Sequence, residues 1–244
     1  MSSIYKEIIH KSKNSLAIIT LNKPKKLNAY SPDMGDEIID AYRKSVLDPN
    51  IKSIAITGNG RGFCAGADKD YLVNGKLSEK GIKLGEDEFI VSFARELADS
   101  PKVLIAAING LAVGIGVTMI LPFDLRIAST NASFSFPFTQ LGILPGLGSS
   151  HFLTNLVGLA KAKELILTGA TINAKEAYSL GLVNKLSSEK NLLDDLIEIA
   201  NNVDKSSLST LSFAKESLNF GYEATIDSAM KNERVLINKL INIS

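Results

Sequence analysis

A run of 21 residues without a charge, from Val103 to Phe123, constrains the fold of this 244-residue chain more than any other segment. Its length would permit a transmembrane helix. A turn dipeptide, two further glycines and a proline interrupt it: Asn109-Gly110, Gly114, Gly116 and Pro122. β-Branched residues are concentrated at its start, so the run is typical of a buried strand, a loop and a short buried helix. We therefore predict an α/β core and no membrane span.

The rest of the first half alternates between apolar strands and amphipathic helices. Buried strands are predicted over residues 16–21, 51–57, 103–108 and 125–128. One helix is predicted to begin after an N-cap at Ser31, with Pro32 in its first turn, and another to cover residues 86–98. Strands that alternate with helices indicate α/β layers with parallel strands.

From Gly148 onward the pattern becomes helical. Asn173 and Glu176 form a capping-box pattern, and Gly181 ends the helix that they begin. Amphipathic helices are predicted over residues 191–203, 209–219 and 225–240. We predict a single domain over residues 1–244, with an α/β core over about residues 1–190 and a C-terminal helical region over about residues 191–244.

Composition excludes several classes of protein. The 27 basic and 26 acidic residues leave a net charge of +1, which argues against a protein that coats nucleic acid or an anionic membrane. The single cysteine, Cys64, cannot form an internal disulfide, and residues 1–15 do not resemble a signal peptide. We therefore predict a reducing, cytoplasmic location. Two histidines and one cysteine provide too few soft ligands for a typical zinc site, so no metal is predicted.

Three loops are rich in glycine: Gly58–Asp68, Asn109–Gly116 and Leu141–Gly148. None has the glycine spacing of a dinucleotide-binding loop or a P-loop. Small residues let a ligand approach the backbone, and free N–H groups at the start of a helix can hold an oxyanion. Because the first two loops both follow parallel strands, they indicate polarisation of a carbonyl group by backbone donors.

Several segments together resemble the crotonase superfamily, also called the enoyl-CoA hydratase/isomerase family: Ile19–Ala29, Gly58–Asp68, the Asn109-Gly110 loop, Leu167–Ala177 and Gly181–Val183. They occur in the family's order over nearly the whole chain. Within the family, Val113–Thr118 and Phe136–Gly142 are most similar to the peroxisomal-type Δ3,Δ2-enoyl-CoA isomerases. They are also similar to the chromodomain-Y-like proteins, which use this fold as a binding module.

The resemblance implies a crotonase-like spiral of ββα units that assembles as a homotrimer or hexamer and binds an acyl-CoA thioester. Coenzyme A would be part of the substrate, so no separate cofactor is expected. By motif position, the backbone N–H groups of Ala67 and Ile115 would form the oxyanion hole for the thioester enolate. Further residues would contact the substrate or CoA, with the lysines near its phosphates: Lys25, Lys26, Leu27, Ala65, Gly66, Asp68, Lys69 and Gly114. The alternative for the Lys23–Lys26 cluster is a solvated turn.

The acids that carry protons in the family are missing from this sequence. Hydratases have glutamates at the positions of Thr118 and Phe138, and mitochondrial-type isomerases use the second of these. Peroxisomal-type isomerases have a glutamate at the position of Gly146. Two-carboxylate hydration is therefore not expected, because these positions can neither deliver nor remove a proton. The alternation of Phe134, Phe136 and Phe138 predicts a strand with one apolar face.

Three interpretations of the activity stay open, with Δ3,Δ2-enoyl-CoA isomerisation the nearest activity. The oxyanion hole alone could support an enolate reaction, or the protein could bind acyl-CoA without turnover, as a non-catalytic paralogue or assembly partner. Alternatively, a base could come from one of two groups, in which burial beside an acyl chain would raise a carboxyl pKa: Asp68, Asp70 and Tyr71, or Glu86, Asp87 and Glu88.

The remaining reactive side chains are predicted to be structural. His151 lies inside a helix, His10 lies in a surface strand, and Cys64 is a small core residue. The chain stops at Ser244, where the family generally continues with one more helix over the acyl pocket. We therefore expect an acyl site that is more open than usual, or one that another subunit closes.

Overall fold

The computed structural model describes residues 5–242 and contains two β-sheets. The first sheet has six strands, in the spatial order β1-β2-β3-β5-β7-β10. The second sheet has four strands, in the order β4-β6-β8-β9. The strands are β1 (Ile8–Lys13), β2 (Leu16–Leu21), β3 (Ser53–Gly58), β4 (Gly62–Cys64), β5 (Val103–Ile108), β6 (Leu111–Val113), β7 (Leu125–Ser129), β8 (Ser133–Ser135), β9 (Thr171–Asn173) and β10 (Lys185–Ser187).

The chain passes repeatedly from the first sheet to the second. The successive pairs β3–β4, β5–β6 and β7–β8 each place one strand in either sheet, and helices follow these pairs. Strands β2, β3, β5, β7 and β10 run parallel, as do β4, β6 and β8, while β1 and β9 pair antiparallel at the edges. This arrangement confirms the predicted spiral of ββα units with parallel sheets.

The described part of the chain contains helices α1 (Pro32–Leu47), α2 (Lys69–Leu72), α3 (Glu88–Val91), α4 (Phe93–Ala98), α5 (Ile115–Thr118), α6 (Ser149–Val157), α7 (Leu159–Thr168), α8 (Ala174–Ser179), α9 (Leu192–Asp204), α10 (Leu208–Glu223) and α11 (Ile226–Ile241). Local capping fixes several of the starts. Ser31 accepts a hydrogen bond from the Met34 amide at α1, and Asn173 with Glu176 closes the predicted capping box at α8.

The uncharged run folds as β5, a turn, β6 and the short helix α5, which confirms the prediction of a buried strand, a loop and a helix. Most of its side chains are buried, and they contribute to both apolar cores. Across residues 5–242, no helix combines the length and the apolar character that a membrane crossing requires.

Two local predictions are wrong. The helix expected over residues 86–98 is two helices, α3 and α4, because Ser92 departs from helical geometry with φ −138° and ψ −21°. The strand expected to include Phe134, Phe136 and Phe138 ends at Ser135, and Phe138 instead precedes a short 3₁₀ turn. All three phenylalanines are nevertheless buried. The alternation therefore predicted their burial correctly, although only Phe134 lies in the strand.

The main apolar core contains side chains of both sheets and of α1, α3 and α4. A second, smaller core lies under α9, where Leu192 and Leu196 join Ile105 and Ile127 of the first sheet. Helix α10 buries no residue completely, and it contacts mainly α11. The predicted C-terminal helical region is therefore confirmed as a group of helices, of which α9 is the one held in an apolar core.

Candidate active site

The first two glycine-rich loops lie side by side because β4 and β6 are neighbouring parallel strands. The backbones that follow these strands are in close contact. A β-carbon placed on Gly66 would lie 3.2 Å from the carbonyl oxygen of Val113, and one on Gly116 would lie 2.5 Å from that of Cys64. Glycine at these two positions therefore permits the loop after β4 and the loop after β6 to interlock.

The N–H group of Ala67 faces away from the neighbouring chain segment. Tyr30 donates a backbone hydrogen bond to Gly66 and accepts one from Asp68, so in this parallel bridge the amide of Ala67 points to the opposite side. Ile115 is the first residue of α5 and follows Gly114, which has a φ of +54°. The first N–H groups of a helix lack partners within it. Within residues 5–242 no hydrogen bond is found from the Ala67 or the Ile115 amide.

The turn that contains the lysine cluster (residues 23–28, the lysine turn) lies against the loop that carries Ala67. The Ala65 amide donates to the Leu27 carbonyl oxygen at 2.9 Å, which joins the two segments. Lys26 forms ion pairs with Asp68 and Asp70, both at 2.9 Å. Lys25 is exposed, and its side chain forms no polar contact with the described part of the chain. Of the two lysines predicted near the CoA phosphates, only Lys25 therefore has an ammonium group without an ion pair among residues 5–242.

Asp68 is buried and serves as the N-cap of α2. Burial by itself raises the pKa of a carboxyl group, but Lys26, the Asp70 amide and Lys23 together bring the pKa of Asp68 below its ordinary value. The hydrogen bond from Lys26 likewise lowers the pKa of Asp70. The expectation that one of these carboxyl groups gains a raised pKa is therefore wrong, because their lysine partners outweigh burial.

The other predicted base candidates, except Glu86, have structural partners. Tyr71 donates to Asp33 at 2.9 Å, and burial raises the pKa of Tyr71, with the hydrogen bond to Asp33 adding to the shift. Asp87 is buried and accepts hydrogen bonds from the Tyr30 hydroxyl at 2.5 Å and from backbone amides at the start of α3. Glu88 forms an ion pair with Arg43 at 2.6 Å. Glu86 is exposed, and no ion pair of its carboxylate is found in the described structure.

The three positions at which the resemblance implies acids lie in α5, beside Gly114 and beside α3. Thr118 is buried in α5. The Phe138 ring is 3.9 Å from the point where a β-carbon on Gly114 would lie, so it covers the residue that precedes Ile115. A β-carbon on Gly146 would lie 3.3 Å from Ile90 Cγ2 of α3. None of these three residues, Thr118, Phe138 and Gly146, has a carboxyl group, although the resemblance implies proton-carrying acids at their positions.

The histidines and the cysteine occupy structural positions. His10 lies in β1 and contacts the Ser45 hydroxyl at 2.9 Å, while His151 lies in α6 with its ring against Phe152. Cys64 is fully buried, and burial raises the pKa of its thiol to about 11. Among residues 5–242, no cluster of three or more side chains is arranged to hold a metal ion.

Sequence reasoning missed two asparagines that join the loops. Asn28 and Asn109 both donate hydrogen bonds to the Gly62 carbonyl oxygen, at 2.9 and 3.2 Å. Both residues lie inside segments that carry the family resemblance, which is the signal that could have found them. Their side chains nevertheless come together only in the folded chain.

Comparison with known proteins assigns the chain to a family. A sequence model described as Enoyl-CoA hydratase/isomerase matches residues 11–243. The chain belongs to the enoyl-CoA hydratase/isomerase family. It is 37% identical over 232 residues to the crotonyl-CoA hydratase of Syntrophomonas wolfei, which covers 94% of this chain and 87% of the relative. It is 36% identical over 227 residues to the short-chain-enoyl-CoA hydratase of Clostridium acetobutylicum, covering 93% and 86%.

Other members of the family carry different names or bound molecules. The 1,2-epoxyphenylacetyl-CoA isomerase of Escherichia coli is 30% identical over 217 residues, covering 88% of this chain and 83% of the relative. Enoyl-CoA hydratase subunit I of Geobacillus kaustophilus superposes with a TM-score of 0.88 at 32% identity, covering 98% and 91% of the two chains. A Thermobifida fusca member in complex with acetoacetyl-CoA superposes with a TM-score of 0.89 at 26% identity, covering 98% and 96%. The similar proteins therefore include one solved with a bound acyl-CoA, and they include enzymes named as hydratases and as an isomerase.

Proposed function

We propose that this protein binds an acyl-CoA thioester and stabilises its enolate with the backbone N–H groups of Ala67 and Ile115. The observation that carries the proposal is the pair of amides, in two loops in close contact, that have no hydrogen-bond partner among residues 5–242. Fixed donors of this kind stabilise negative charge on a carbonyl oxygen without reorganising during the reaction. The Thermobifida fusca complex with acetoacetyl-CoA supports the ligand class.

The activity that we assign is a double-bond shift in an enoyl-CoA, of the Δ3,Δ2 type. A base removes a proton from C2 of the 3-enoyl thioester, the dienolate charge rests on the thioester oxygen, and a proton returns at C4. One proton leaves and one is added, so the reaction requires no cofactor. Because Glu86 is the one predicted carboxylate without a structural partner among residues 5–242, we assign it as the first base to test.

Hydration of crotonyl-CoA is not part of this proposal, although several relatives are named hydratases. Hydration requires one group to activate water and another to protonate carbon. Thr118 and Phe138 can do neither at neutral pH, because one is an alcohol and the other a hydrocarbon.

A second candidate function is acyl-CoA binding without turnover. The observation that favours it is the pairing of Asp68, Asp70 and Glu88 with basic side chains, which leaves few free carboxylates near the loops. In this case the protein would act as a binding paralogue or an assembly partner.

Turnover and binding assays separate these functions. We expect the purified protein to bind acetoacetyl-CoA and to convert a 3-enoyl-CoA to the 2-enoyl isomer, with little hydration of crotonyl-CoA. Glu86→Gln should abolish isomerisation, while Asp194→Asn, which changes another exposed acid, should not. Tight binding without turnover of either substrate would support the binding function and contradict the isomerase. Absence of any CoA-thioester binding would contradict both.

We also propose that the chain assembles as a homotrimer or hexamer. The α10–α11 hairpin exposes a set of large apolar side chains: Leu218, Tyr222, Ile226, Met230, Val235, Ile237 and Ile241. Light scattering should give three or six times the protomer mass of 26.2 kDa. The double variant Ile226→Glu and Met230→Glu should lower that mass, whereas Leu47→Glu, at the exposed end of α1, should not.

A further inference from the structure

Two asparagine side chains from different loops meet at one backbone atom. The carbonyl oxygen of Gly62 accepts hydrogen bonds from Asn28 Nδ2 at 2.9 Å and from Asn109 Nδ2 at 3.2 Å. Gly62 begins β4, the strand that leads to Ala67. Its carbonyl therefore joins the lysine turn (residues 23–28), the loop that carries Ala67, and the segment that leads to Ile115.

The Asn28 side chain forms hydrogen bonds through both its NH₂ group and its oxygen. It is fully buried, it donates a second hydrogen bond to the Asn59 carbonyl oxygen at 3.0 Å, and its Oδ1 accepts from the Lys23 amide at 2.8 Å. Leu27 and Asn28 both have left-handed backbones, with φ +51° and +56°. Such conformations are costly outside glycine and persist where the surrounding contacts hold them.

Asn109 spans the turn between β3 and β4. Its Oδ1 accepts from the Gly58 amide at 3.1 Å, and its Nδ2 also donates to the Gly60 carbonyl oxygen at 2.8 Å. No side chain other than these two asparagines donates to the Gly62 carbonyl oxygen within residues 5–242. Both asparagines therefore hold the first residue of β4, the strand that leads to the Ala67 amide.

We propose that Asn28 and Asn109 are positioning residues that hold the Ala67 N–H at its working distance from the Ile115 N–H. This inference deepens the proposed function and rests on it. A donor displaced by about 1 Å stabilises an oxyanion far less, because the hydrogen bond loses both length and alignment. Through Asn28, a ligand on the lysine turn also restrains the oxyanion-hole loop, which couples the two ends of the CoA site.

The test uses Asn28→Asp and Asn109→Asp. Each change keeps the size of the side chain but replaces a donating NH₂ group with an oxygen that repels the Gly62 carbonyl. The readout is the near-ultraviolet absorbance of the enolate of bound acetoacetyl-CoA, beside calorimetric binding of free CoA. We expect the ratio of enolate to keto form to fall roughly tenfold in both variants. Free CoA binding should stay within about twofold for Asn109→Asp and weaken for Asn28→Asp.

Asn22→Asp is the matched control, because within the described structure the Asn22 side chain only accepts a hydrogen bond from Asn59, and aspartate retains the acceptor. Unchanged enolate ratios in folded Asn28→Asp and Asn109→Asp proteins would overturn the proposal. A wild-type protein that binds acetoacetyl-CoA without any enolate signal would instead overturn the proposed enolate chemistry.

A measurement on the wild type covers the case in which the variants do not fold. Addition of free CoA should slow amide hydrogen exchange in residues 58–62, although the residues implied in CoA contact lie outside this segment. Exchange that does not change there would contradict the coupling.

Discussion

The backbone of Gly116 lies directly against the carbonyl oxygen of Cys64. A β-carbon on Gly116 would approach that oxygen to 2.5 Å and the Cys64 β-carbon to 2.8 Å. The first helical turn of α5 and the end of β4 are thus in contact without an intervening side chain. This contact sets the separation of the two loops whose amides we assign to the oxyanion hole.

Gly116→Ala should therefore damage the site and the fold together. The added methyl group has no space, and overpacking of this kind costs about 1–3 kcal/mol of unfolding free energy. Thermal unfolding should show the loss, and acyl-CoA binding should weaken because the loops move apart. Gly221→Ala in α10 is the control, since its β-carbon would meet only an ordinary contact at 3.9 Å. An unaltered melting temperature in Gly116→Ala would contradict the close contact.

Gly146→Glu should create or strengthen isomerase activity. The backbone of Gly146 is not left-handed, and a β-carbon there would lie 3.3 Å from Ile90 Cγ2, a side-chain methyl group. A positioned general base contributes roughly 10²–10⁴-fold, so isomerisation of a 3-enoyl-CoA should rise at least tenfold over the wild type. Gly146→Gln has the same size without the base and should not show this gain.

Phe138→Glu tests the second family position in the same assay. The Phe138 ring is buried beside Gly114, so the substitution is expected to lower stability by about 3 kcal/mol. Phe138→Gln is the control for size. If both glutamate variants fold and bind CoA but neither isomerises faster than the wild type, a carboxylate at these positions is not what limits the reaction.

Lys25 and Lys26 should contribute differently to CoA binding. Lys25 is exposed without a polar partner among residues 5–242, whereas Lys26 is bound to Asp68 and Asp70. Lys25→Ala should weaken free CoA binding about fivefold, the effect of about 1 kcal/mol, with no change in stability. Lys26→Ala should also lower the melting temperature, because it removes the main partner of a buried carboxylate. Equal losses of stability in Lys25→Ala and Lys26→Ala would contradict this difference between the two lysines. Lys11→Ala, at another exposed lysine, is the control.

The Asp68 ion pair should make stability depend on pH. Its pKa in the folded protein is below the ordinary value near 4, so the pair stabilises the fold above that pH and is lost as the pH falls through the folded value. We expect Asp68→Asn to cost about 2 kcal/mol at pH 7 and less at pH 3, as measured by urea unfolding. Asp227→Asn, on the exposed face of α11, should behave like the wild type at both pH values.

Local chemistry made much of the fold predictable. The capping residues Ser31 and Asn173 and the glycine after α8 lie where the sequence pattern placed them. The two failures are of one kind: the break at Ser92 and the end of β8 at Ser135 are changes of backbone conformation inside segments whose apolar residues stay buried. Periodicity reports burial, and several backbone conformations can bury the same side chains.

The sequence by itself determined the family, the positions of Ala67 and Ile115, and the lack of acids at Thr118, Phe138 and Gly146, because these follow from residue identity and order. Only the tertiary structure decided which charges are free. Lys26 and Asp68 are 42 positions apart, and their pairing lowers the pKa of a carboxyl group that burial alone would raise. A pKa depends on distances and on the exclusion of water, and both are properties of the folded chain.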